Sequence, residues 1–107
     1  MTIAVHPSAL NYWQARIDAI VRGAGAAGEG DDLAVYTVES RATAIATLDR
    51  GARAAGWRTA EYRAGHYTRF VPGKLPIVVD ERAGWAALCT VTADGRLGTV
   101  EDVAVWR

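Results

Sequence analysis

The pair Asp94-Gly95, set between two β-rich runs, constrains this chain more than any other feature. Gly84 to Thr92 precede it, with Trp85, Val91 and two threonines, and Leu97 to Trp106 follow it, with three valines, Thr99 and Trp106. Asp-Gly supplies the positive backbone angles of a tight turn, so the spacing predicts a C-terminal β-hairpin. A two-residue turn would pair Ala93 with Arg96 and mix apolar and charged side chains on both faces. A three-residue loop, Ala93-Asp94-Gly95 with Gly95 left-handed, pairs Thr92 with Arg96 and Leu88 with Val100. Trp85, Ala87, Cys89 and Val91 then share a face with Leu97, Val103 and Val105. A one-residue slip moves every side chain across the sheet, so this cleaner separation favours the bulged loop. Leu88, Val100 and Trp106 are left as an apolar strip on the other face, to be covered by a helix or used as a contact surface.

Upstream, Thr2 to Val5 reads as a short strand. Ser8 is a candidate N-cap for a helix running to Arg22, with Leu10, Trp13, Ile17, Ile20 and Val21 on one face. The glycine-rich stretch from Gly23 to Asp32 ends it. Leu33 to Val38 reads as a strand, and Glu39 to Ala55 as a second helix with Ile45, Leu48, Ala52 and Ala55 inward and Gly56 closing it. Trp57 to Ala64 reads as a strand with His66 to Val71 as its hairpin partner across Gly65. Pro72 to Pro76 is expected to be a rigid connector, and Ile77 to Asp80 a short strand. The order predicts one α+β domain over residues 1–107. Its two N-terminal-half helices pack on one face of a mainly antiparallel sheet that ends in the C-terminal hairpin.

With 107 residues, half of them apolar, the chain has enough material for one core. Its 21 alanines make that core small-residue-rich, with bulk left to Trp13, Trp57, Trp85 and Trp106. The single cysteine, Cys89, excludes an internal disulfide and a multi-cysteine zinc cage, and fits a reducing cytoplasm. There is no apolar run long enough to span a bilayer, and the N-terminal residues do not resemble a secretory signal, so no membrane partner is expected. Eleven arginines against one lysine, with much Ala, Gly and Val, fit a GC-rich bacterial or phage genome.

Few motifs carry chemistry. Gly23-Ala-Gly25-Ala-Ala-Gly28 matches the dinucleotide fingerprint in letters, but a helix enters it and a strand leaves it, the reverse of the order that aims a helix N-terminus at a pyrophosphate. Cys89 lies mid-strand on the inward face, the place of an inert buried thiol, with His6 and His66 as the available bases. Asp31-Asp32 and Asp80-Glu81 read as loop charges at strand boundaries. Glu101 and Asp102 alternate along a strand, and so are expected on opposite faces. No cofactor and no metal is expected.

Charge is unevenly spread, although lysine plus arginine equals aspartate plus glutamate at 12 each. Residues 39–74 hold seven cations against three acids, interleaved with aromatics at Trp57, Tyr62, Tyr67 and Phe70. Arginine with tyrosine or tryptophan suits protein hot spots, and equally suits phosphate contact with base stacking. The expected function is a non-catalytic protein-interaction module, a small accessory, regulatory or inhibitory factor of bacterial, phage or mobile-element origin. Its expected contact residues are Arg58, Tyr62, Arg63, Tyr67 and Arg69 on the middle hairpin and Trp106 on the terminal strand, which would also serve as a homodimer seam. The alternatives are a nucleic-acid-binding domain using hairpin 57–70, favoured less because net charge is zero, and a small enzyme with a pocket between helix and sheet.

Overall fold

A computed structural model describes residues 34–64 and 70–106. The chain runs β1 (Ala34–Val38), α1 (Arg41–Ala54), β2 (Arg58–Arg63), β3 (Lys74–Asp80), β4 (Trp85–Val91) and β5 (Leu97–Trp106). The strands form one sheet in the order β1-β5-β4-β3-β2. The fold is α+β with a mixed sheet. β1 pairs with β5 and β2 with β3 in parallel, whereas β4 is antiparallel to both of its neighbours. The strand at residues 2–5 and the helix at residues 8–22 lie outside the described residues.

α1 begins where local chemistry starts it. Ser40 has extended backbone angles, and its Oγ accepts the Thr43 N–H at 3.1 Å, satisfying a donor that the first turn leaves open. Its inward face is Ala44, Leu48 and Ala52, one per turn, and two of the three are alanines, which bring the helix close to the sheet. At its end, Gly56 takes a φ of +87°, donates to Arg53 O at 2.9 Å, and is followed by Trp57 donating to Ala52 O at 2.9 Å. This is a Schellman ending, and it folds Trp57 back beside Ala52. Ala55, expected in the core, is instead exposed at the helix end.

The sheet has a cluster on each face. Ile77, Val79, Ala86, Leu88 and Ala104 meet the helix through Ala44, Leu48 and Ala52. Val78, Trp85, Ala87, Cys89, Val100 and Val103 form the second cluster, with Leu97 and Val105 packed against it. Burial on both faces explains why β3 and β4 read as nearly continuous apolar runs.

The terminal hairpin follows the three-residue loop. Thr92 N–H donates to Arg96 O at 2.8 Å, and Gly95 has a φ of +84°. Val91 faces Leu97 as expected, but the register then slips twice, so that Cys89 faces Val100 and Leu88 faces Asp102 instead of Val100. Each slip inserts one extra residue into β5. Two slips restore the original parity, so Val103 and Val105 stay with Trp85 and Ala87 as expected. Val100 joins that second cluster, while Leu88 and Trp106 lie on the helix side. The expected strip of Leu88, Val100 and Trp106 is therefore divided between the faces, and Leu88 is covered.

Three further expectations are corrected. The sheet is not mainly antiparallel, because both outer pairs are parallel. β2 pairs in parallel with β3, from Arg58 opposite Lys74 to Arg63 opposite Val79, a partner not expected from the sequence. Of the second strand of the expected middle hairpin, residues 66–69 lie outside the described residues, and Phe70 and Val71 are not strand. The Pro72–Pro76 connector is a turn only at Pro72-Gly73, since Lys74 to Pro76 already belong to β3. Pro76 is tolerated because pairing with β4 starts only at Ile77, so at Pro76 β3 has a ladder neighbour on one side alone.

Candidate functional site

Among the described residues β2 is an edge strand, and its alternation decides what the expected contact residues can do. Thr59 and Glu61 point to the helix side. Thr59 Oγ1 donates to Asp49 Oδ1 at 2.6 Å, and Glu61 Oε2 lies 2.6 Å from Arg41 Nη2. Arg63 follows the same parity and lines a small polar recess of about 170 Å³ with Arg41, Glu61 and Glu81. Arg58 and Tyr62 take the opposite face. The three expected contact residues of β2 are thus split across its two faces.

Tyr62 is committed to structure. Its hydroxyl accepts the Val71 N–H at 2.9 Å, and its ring meets Phe70 edge-on with centroids 5.0 Å apart. It pins the connection into β3 against β2. Arg58, Arg63 and Lys74 are exposed and have no ion-pair partner among the described residues. The acid of this strand, Glu61, is held by Arg41, whose Nε also lies 2.9 Å from Glu81 Oε1 at an angle too poor for a hydrogen bond. The result is a cationic edge. Tyr67 and Arg69 lie outside the described residues. Trp106 is half-buried against the helix-side cluster, and its N–H donates to Gly84 O at 2.9 Å. Two strands, β4 and β3, separate it from β2. β5 has neighbours on both sides, so among the described residues the edges of this sheet are β1 and β2.

The other sequence candidates fall as follows. Cys89 is fully buried, with Sγ 3.8 Å from Ala87 O. Asp80 Oδ1 accepts the Ala83 N–H at 3.0 Å and caps the turn into β4, while Glu81 pairs with Arg41. His6, His66, Asp31, Asp32 and the glycine-rich stretch before β1 lie outside the described residues. Among the described residues, no three His, Cys, Asp or Glu side chains gather as a metal site. No helix among them is long and apolar enough to cross a membrane.

A second feature lies where the sequence left room for a pocket between helix and sheet, although its lining residues were not singled out. A groove of about 290 Å³ lies between the C-terminal half of α1 and the sheet. Gly51, Ala52 and Ala55 form its helix wall, Leu75 and Leu88 its floor, Trp57 one end, and Thr90, Glu101 and Asp102 its polar side. Glu101 and Asp102 share the groove because Glu101 is the extra residue of the second bulge, which overturns the expectation that they occupy opposite faces. Burial raises the Asp102 carboxyl above its ordinary value, partly offset by a hydrogen bond from the Ala34 backbone N–H. The readable signal was Gly98, a lone glycine inside a strand pattern, which marks irregular pairing.

Comparison with protein-family models, curated proteins and solved structures finds no match to this chain.

Proposed function

We propose that this chain is a non-catalytic protein-interaction module, a small accessory, regulatory or inhibitory factor that engages an acidic partner along the edge strand β2. The observation that supports the reading is the charge left over on that edge. Arg58 and Arg63 are exposed without a carboxylate partner among the described residues, and Arg41 has taken Glu61. Lys74 stands beside Arg58 in the ladder and adds a third cation. No described strand lies outside β2, so an extended acidic segment has both backbone groups and guanidinium forks to meet.

Because residues on the two faces of β2 both carry charge, a partner strand would be gripped from both sides. The single buried thiol suits a reducing cytoplasm, and the arginine-rich usage suits a bacterial or phage source. The test is fluorescence anisotropy with a labelled alternating Glu-Val peptide, run beside single-stranded and duplex oligonucleotides. Saturable binding of the peptide, lost in Arg58→Glu/Arg63→Glu, is the expected result. Oligonucleotide binding that collapses between low and physiological salt, with no binding of the peptide, would transfer the edge to nucleic acid.

A further inference from the structure

The groove at the end of α1 is chemically the opposite of the β2 edge. Its walls are apolar and short: a glycine and two alanines on the helix, two leucines on the sheet. Its polar side carries two carboxylates and one hydroxyl. No cation among the described residues pairs with Glu101 or Asp102. Arg53, on the last turn of α1, is occupied by Asp49 at 2.8 Å. Trp57, nearly half exposed, presents indole surface at the groove's end.

These features ask for one kind of occupant. A neutral apolar molecule would fill the walls and leave two carboxylates facing it. An anion would be repelled. A hydrated metal ion would leave the leucine floor and the indole unused. We propose that this groove binds a small organic cation, an ammonium group carried on a ring-sized apolar body, with the charge between Glu101 and Asp102 and the body against Trp57 and Leu88. The volume lies at the small end of ligand sites, which span roughly 300–1,000 Å³, so the occupant is a single-ring molecule. Indole is the strongest aromatic partner for such a cation. The inference is independent of the β2 reading, since the two use different residues and opposite charge.

The test is a titration of the isotopically labelled full chain with 2-phenylethylammonium, and separately with 2-phenylethanol, at matched ionic strength. The probes are followed at the backbone amides of Gly51, Thr90, Glu101 and Asp102 and at the Trp57 indole N–H. Saturable shifts at these positions are expected with the ammonium alone. Glu101→Gln, at an exposed position that leaves the fold intact, should weaken binding about tenfold, as should Trp57→Ala. Equal binding of the alcohol would make the groove a neutral apolar site and overturn the proposal. So would the absence of saturable shifts with the ammonium, or shifts confined to Glu101 and Asp102 that Trp57→Ala leaves unchanged.

Discussion

The Thr59 hydroxyl donates a 2.6 Å hydrogen bond to the Asp49 carboxylate, tying edge strand β2 to the middle of α1. This contact, followed by the Arg53 guanidinium, holds Asp49 below the usual carboxylate range. A carboxyl whose pKa is lower folded than unfolded stabilises the fold at neutral pH. That contribution fades as pH falls from about 4 through the lowered folded value. Thr59→Val should cost about 1 kcal/mol at pH 7, a modest figure because the pair lies near the surface. It should also flatten the acid limb of stability. Urea melts of both proteins at pH 7 and pH 3 check this, and an equal loss at the two pH values would contradict it.

A methyl group at Gly98 would lie 2.5 Å from Thr90 Oγ1, an oxygen that already accepts the Thr99 N–H at 2.7 Å. Gly98→Ala must therefore displace the side chain that holds the first bulge of β5. The expected loss is about 1–3 kcal/mol. Gly98→Ala/Thr90→Ala should lose less than the sum of the single changes, because the clash is relieved. Thermal melts of the four proteins in the cycle give the answer, and strict additivity would show that the two residues do not meet.

Charge reversal on the β2 edge separates binding from folding. Arg58→Glu and Arg63→Glu should each leave stability within about 0.5 kcal/mol, since neither side chain has an ion pair to lose. Both should abolish binding of the acidic peptide. Arg41→Ala is the contrasting change. It frees Glu61 and Glu81, places negative charge on the same edge, and should weaken peptide binding without removing a contact residue. An unchanged affinity in all three variants would remove β2 as the contact.

Cys89 has no exposed surface, so a thiol reagent should label it only after unfolding. Its labelling rate in native buffer should track global opening and rise with urea. Cys89→Ser puts a hydroxyl into the second cluster and should cost about 1–3 kcal/mol. Rapid native labelling would show the thiol to be accessible.

Much of the architecture was legible because local signals and burial agreed. Ser40 and Gly56 bracket α1 within two residues of the expected bounds, and the turn chemistry at Gly95 gave the loop length of the last hairpin. The partners of β2 were not legible. Tyr62, Val71 and Phe70 read as strand residues by composition, whereas their roles are a hydroxyl acceptor, its donor and a ring contact that let the chain cross to a parallel neighbour. Propensity measures fit to a pleated surface and does not reveal which strand supplies it. The acidic lining of the groove escaped for a related reason. Alternation assigns Glu101 and Asp102 to opposite faces, and one inserted residue cancels that rule.

The sheet order also sets a schedule. β1 precedes every other described strand in the chain, yet its ladder partner is β5, the last. β3, β4 and β5 can zip together through short links, while Ala34–Val38 must wait for Asp102–Trp106 to be synthesised. Until then the Ala-Val-Tyr-Thr-Val segment lacks its β5 partner, and the length of that interval depends on how fast the rest of the chain is made.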